Sequence, residues 1–104
     1  MITQYTTPPI SVKVKDIDIT DASYIYVTIK QGTTEVTKET TDIIATVSTT
    51  DTVLTFALTQ EESGSFDPMA YANIQANWIK GGIRYATEIK QITVNGNLLD
   101  EVLE

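Results

Sequence analysis

The sequence predicts an all-β fold: an antiparallel β-sandwich of about seven strands, with one short helix near residues 59–63. Three observations carry this. Thr occurs 18 times, Ile 13 and Val 8, so 39 of the 104 residues are β-branched. Such side chains are stiff at χ1, pack well on a pleated surface and crowd a helix. Apolar and polar residues alternate in several runs, the period of a half-buried strand. Turn-forming clusters separate these runs every 8 to 12 residues or so, the spacing of sandwiches and small barrels. No strand–helix rhythm of a parallel α/β sheet is visible.

Residues 1–9 end in Thr7-Pro8-Pro9. Two prolines cannot donate to a ladder, so this stretch is an extended N-terminal arm or edge segment. Ile10, Val12 and Val14 then alternate with Ser11, Lys13 and Lys15, a strand with one apolar face. Residues 16–23 form an acidic, turn-like link whose Ile17 and Ile19 tuck inward. In residues 24–30, Ile25, Val27 and Ile29 share one face and Tyr24, Tyr26, Thr28 and Lys30 the other. Gln31-Gly32-Thr33-Thr34 turns the chain into residues 35–39, so a hairpin is expected there. Val36 is the only strongly apolar residue of that return strand, as in an edge protected by charge.

Residues 43–47 give a short strand, 48–51 a turn, and Leu54, Phe56 and Leu58 the inward face of the next strand. Thr59-Gln60-Glu61-Glu62 has the capping-box spacing. The Thr hydroxyl can accept from the third amide, and the Glu can reach back to the Thr amide. The acids also suit the positive end of the helix dipole. Ser63-Gly64-Ser65 stops this helix and leaves Phe66 to pack under the sheet. Residues 71–79 are the longest clean alternation, with Ala72, Ile74, Ala76 and Trp78 on one face. Lys80-Gly81-Gly82 makes a hairpin turn, because Gly accepts positive φ. In the return strand over 83–94 the phase changes: Tyr85, Thr87 and Ile89 share one parity, Ile92 and Val94 the other. A bulge near Lys90 or Gln91 reconciles them. The expected core is Val12, Ile25, Val27, Ile29, Leu54, Phe56, Leu58, Ile74, Trp78 and Ile89. Residues 96–104 form a C-terminal tail in which Leu98, Leu99, Val102 and Leu103 are apolar. A chain of this length makes one small domain with a modest core.

Composition narrows the chemistry. Seven basic against fourteen acidic residues give a net charge of −7, which repels phosphate backbones and argues against nucleic acid as a partner. With no Cys and no His, the chain lacks thiolate chemistry, the usual general base and the commonest metal ligand. Ser or Thr with Lys remains as a nucleophile pair, but no Ser-x-x-Lys occurs. Paired carboxylates could hydrolyse glycosides, yet the acids gather in turns and on hydrophilic strand faces. An enzyme is therefore not expected, and no cofactor. Residues 16–21 superficially resemble a calcium loop. An EF-hand needs Gly and Glu where Asp21 and Val27 stand, so an acidic solvated turn is favoured over an adventitious surface site. Lys80-Gly81-Gly82 precedes no helix, so it does not cradle phosphate.

The first residues show no basic region followed by an apolar run, and no stretch approaches the ~18 apolar residues of a membrane span. Synthesis and folding in the cytoplasm, with no membrane partner, is the expectation. The aromatics offer contact surfaces. Tyr24 and Tyr26 lie opposite the apolar face of their strand, and Tyr71 shares the hydrophilic parity of its own. Trp78 reads as core. The candidate interface residues are Tyr24, Tyr26, Tyr71, Leu98, Leu99, Val102 and Leu103.

The order of motifs carries a resemblance. Thr6-Thr7-Pro8 precedes the first strand, and Tyr24-Ile25-Tyr26-Val27-Thr28-Ile29-Lys30-Gln31-Gly32 ends in Gln-Gly. Leu58-Thr59-Gln60-Glu61-Glu62 precedes Phe66; Ala72-Asn73-Ile74-Gln75-Ala76 leads to the Gly turn, and Tyr85-Ala86-Thr87-Glu88-Ile89 follows. From about residue 6 to 102 the chain resembles small proteins encoded among the tail and baseplate genes of tailed phages and prophages of Gram-positive bacteria. These are similar to the immunoglobulin-like N-terminal domain of upper baseplate proteins. The resemblance implies an immunoglobulin-like sandwich, no catalytic or cofactor residues, and a virion structural or accessory role through contacts with other virion proteins or with itself. It also implies synthesis in the bacterial cytoplasm and incorporation in a virion. The tail departs from the expected Asp-Gly-Val ending, since Asp100-Glu101-Val102 has no Gly. The other reading is a carbohydrate-binding or adhesin-like surface module, for which exposed aromatics beside polar groups would serve.

Overall fold

Alternation in the sequence becomes two facing sheets in the computed structural model, which describes residues 2–7, 9–15, 17–48 and 51–98. The strands are β1 (Ile2–Thr3), β2 (Pro9–Val14), β3 (Tyr24–Gln31), β4 (Thr34–Lys38), β5 (Ile44–Ser48), β6 (Asp51–Ala57), β7 (Ala72–Lys80), β8 (Ile83–Ala86), β9 (Lys90–Ile92) and β10 (Val94–Asn95). The helix α1 spans Gln60–Gly64, and a 3₁₀ turn covers Thr40–Asp42. The smaller sheet has the order β2-β6-β5 and the larger one β4-β3-β7-β8, with β9 also pairing β7. All of these ladders are antiparallel. The fold is an all-β sandwich.

The core lies between the sheets. Ile10, Val14, Leu54 and Phe56 of the smaller sheet are buried, as are Ile25, Val27, Ile29, Ala72, Ile74, Ala76 and Trp78 of the larger. Leu58 and Phe66 close the end beside α1. Val12 is half-buried against this cluster. The link before β3 is pinned by Thr52, fully buried, whose hydroxyl accepts from the Ile19 amide at 3.1 Å and donates to the Ile17 carbonyl at 2.8 Å. Ile19 is thereby held inside.

The capping box forms as its spacing predicts. Thr59 accepts from the Glu62 amide at 3.1 Å, and the Glu62 carboxylate accepts from the Thr59 amide at 2.8 Å. Glu62 also accepts from Lys38 of β4 at 2.7 Å, tying the helix to the charged edge of the larger sheet.

Three short strands add to the expected seven. The N-terminal arm is partly a strand: β1 pairs β10 in parallel, Ile2 opposite Val94, and Ile2 is fully buried. The return strand over 83–94 divides in three: a bulge within residues 87–89, just before the expected Lys90 or Gln91, separates β8 from β9, and β10 leaves β7 to pair β1. Asn77 pairs Ala86 while Ile74 pairs Lys90, so residues 87–89 stand opposite residues 75–76. That one extra residue corrects the expected core. Without it Ile89 would oppose Ile74; with it Ile89 turns outward and is 64% exposed.

Candidate functional site

The larger sheet turns a second face to solvent. Its outward positions follow from the register: Tyr24 opposite Ile79, Tyr26 opposite Asn77, Thr28 opposite Gln75 and Thr37, and Arg84 opposite Ile79. Directly opposed residues lie on one face, so these side chains form a continuous strip across β4, β3, β7 and β8.

Tyr24 and Tyr26 stack within this strip, their ring centroids 6.3 Å apart and their planes 17° from parallel. Tyr24 is 54% exposed and Tyr26 half-buried. Arg84, the chain's only arginine, lays Nε and Nη2 toward the Asn77 side-chain oxygen at 3.3 and 3.2 Å. Thr28 and Thr37 share a hydroxyl–hydroxyl hydrogen bond of 3.2 Å. Between them is a shallow concavity of about 270 Å³ lined by Tyr26, Thr28, Thr37, Asn77, Ile79 and Arg84. A second, of about 180 Å³, continues along the same face past Thr28, Lys30, Asn73 and Gln75 to Ile89. Rigid rings, one planar cation and amide groups on a preformed sheet suit docking against another surface at low entropic cost.

The sequence-derived candidates divide. Tyr24 and Tyr26 come together here. Tyr71, also exposed, precedes β7 at the far end from Ile79, about 26 Å along the strand. There it lines a different hollow with Pro68, Met69 and Val94. Leu98 is fully exposed, while Leu99, Val102 and Leu103 lie outside the described residues. Trp78 is buried, as expected of core, and stacks on Tyr85 at 5.8 Å. Its Nε1 has no hydrogen-bond partner among the described residues. The sequence pattern did not single out Arg84, Asn77 or Ile79, and it placed Ile89 in the core. The outward parity of 73, 75, 77 and 79 was a usable signal, but only the cross-strand register brings Arg84 beside Asn77.

In the acidic link, the Asp18 carboxylate accepts from the Thr20 hydroxyl at 2.6 Å and the Thr20 amide at 2.9 Å, which holds it below the usual carboxylate range. Asp21 instead faces Lys80 at 3.3 Å. Asp18 thus closes its own turn, and Asp16 lies outside the described residues. Among the described residues no cluster of three or more acids is placed to hold a metal ion, and no helix is long and apolar enough to cross a membrane.

No protein-family model matches the chain, and no curated protein matches it significantly.

Proposed function

We propose that this chain is a non-enzymatic contact module, a structural or accessory protein of a phage or prophage tail or baseplate. The observation that carries the contact role is the uncovered Tyr24–Tyr26 stack beside Arg84 on the outer face of the larger sheet. Tyr and Arg are over-represented where binding energy concentrates, because they bring large area with few rotors to freeze. The tail assignment rests on the motif order described above. The strand order supports its immunoglobulin-like part. β2-β6-β5 and β4-β3-β7-β8 fit the B-E-D and C′-C-F-G orders of such a sandwich, the chain crossing between sheets after β2, β4 and β6 and staying within a sheet at the hairpins β3–β4, β5–β6 and β7–β8. Made in the bacterial cytoplasm, the chain would be covered by neighbouring virion subunits or by copies of itself.

The test is co-expression with the products of the adjacent genes, followed by size-exclusion chromatography. Tail-tube, tape-measure or lysin genes beside this one, and a complex that dissolves on Tyr24→Ser/Tyr26→Ser substitution, support the reading. A chain that elutes alone beside every neighbour contradicts it. The second reading, a carbohydrate-binding module, draws on the 270 Å³ concavity, where Tyr26 sits beside Asn77 and Arg84. Binding to a glycan array that the same double substitution abolishes would favour it instead.

A further inference from the structure

We propose that the open edge of the sandwich between β2 and β9 accepts an extended segment of another polypeptide, apolar at alternate positions and carrying one carboxylate against Lys90. This is independent of the tyrosine face, which lies on the other side of the larger sheet.

Two strand edges border the same cleft. β2 pairs only β6 and β9 pairs only β7 among the described residues, so each leaves a row of backbone groups without a ladder partner. The cleft between them measures about 310 Å³ and reaches inward-facing residues of both sheets: Ile10 and Val12 of β2, Ile74 of β7 and Ile92 of β9. Val12 and Ile92 are only half-buried, so the core is incompletely closed along this side. An entering strand would complete both ladders and cover these four side chains together.

The fold already adds a strand to this run of chain. β1 joins β10 in parallel at Val94–Asn95, immediately after β9, but covers only two positions. The stretch just before it, Lys90–Ile92, has no such cover among the described residues.

Charge selects the occupant. The register puts Lys90 opposite Ile74, on the inward-facing side of the edge, where it lines the cleft. Lys90 makes no ion pair among the described residues, whereas Lys13 on the other rim is engaged by Asp51 at 3.3 Å. Glu88 also lines the cleft. An inward-pointing lysine on an edge strand blocks an all-apolar strand by desolvation. A strand bearing a carboxylate at the opposed position removes that penalty, so the lysine acts as a selector.

The probe is the peptide acetyl-Thr-Val-Thr-Asp-Thr-Val-Thr-Val-amide, with a counterpart carrying Lys for Asp. Amide hydrogen exchange is followed by NMR on the full chain and on Lys90→Glu. Lys90 is exposed, so the variant should fold. The Asp peptide should slow exchange in both β2 and β9, the Lys peptide should bind about tenfold more weakly, and Lys90→Glu should invert that order. No protection at millimolar peptide, protection on β4 or β5 instead, or equal binding of the two peptides would overturn the proposal and leave Lys90 as a guard of the edge.

Discussion

Thr87 meets Ala76 twice: its amide donates to the Ala76 carbonyl at 2.9 Å, and its hydroxyl accepts from the Ala76 amide at 3.1 Å. A bulge normally leaves backbone groups of the facing strand without partners. Here a side chain of the bulged segment supplies the missing acceptor, so the Ala76 amide stays paired while the register shifts. The Thr87 carbonyl also accepts from the Gln75 side chain at 2.8 Å.

Replacing that hydroxyl should therefore cost more than a surface substitution. Thr87→Val keeps the shape and strands the Ala76 amide. The expected loss is about 1–2 kcal/mol, read as a lower urea midpoint with unchanged slope. Thr87→Ser should recover most of it. A Val variant as stable as the parent would show that water serves the amide equally well.

Glu62 predicts a pH dependence. Burial pushes its carboxyl up, but the Lys38 ammonium and the Thr59 amide together outweigh burial and hold it below its ordinary value of 4.5. The folded state thus binds the proton more weakly than the unfolded chain. The stabilisation is fully present above the unfolded value and is lost as pH falls through the folded one. Glu62→Gln keeps the capping-box geometry and removes the charge facing Lys38. It should cost about 1–2 kcal/mol at pH 7 and almost nothing at pH 2, measured by urea unfolding at both.

Gly64 and Tyr5 should behave as a coupled pair. A Cβ at Gly64 would stand 2.5 Å from Cε1 of the Tyr5 ring, and Tyr5 itself holds a left-handed φ of 59°. Gly64→Ala is expected to destabilise by about 1–3 kcal/mol through overpacking. In a Tyr5→Ala background the same change should cost little, since Ala suits a helix better than Gly. A double-mutant cycle reads the coupling; additivity would place the ring elsewhere.

The tail is expected to add contact, not stability. Asn97 donates to the Gln4 carbonyl at 3.2 Å, whereas Leu98 is fully exposed. Deleting residues 98–104 should leave the urea midpoint unchanged and lower any self-association seen by light scattering. A monomer before and after deletion removes Leu98, Leu99, Val102 and Leu103 from the interface.

Most of the fold was legible because period-two patterning, the capping box and the glycine turns are local signals. Ile25, Val27 and Ile29, or Ala72 to Trp78, declare their face without knowing their partners. The phase change after Ile89 announced a bulge near Lys90 or Gln91, whereas the register sets it earlier, at residues 87–89, because parity alone could not say which isoleucine would leave the core. β1 was hidden for a similar reason: two residues carry no period, and only pairing with Val94–Asn95 makes Ile2 a core residue. The surface was legible in its tyrosines, which share a strand. Arg84 and Asn77 are brought beside Tyr26 by long-range register, which composition does not encode.

The proposed contact role requires that the Tyr24–Tyr26 face be covered in a larger assembly. The direct measurement is quantitative mass spectrometry of tail particles purified from cells expressing either the parent chain or Tyr24→Ser/Tyr26→Ser. The parent should appear in a fixed ratio to the tail proteins, and the variant should fold with the parent's urea midpoint yet be missing from the particles. A parent chain left behind in the supernatant, or a variant incorporated to the same ratio, would contradict the account.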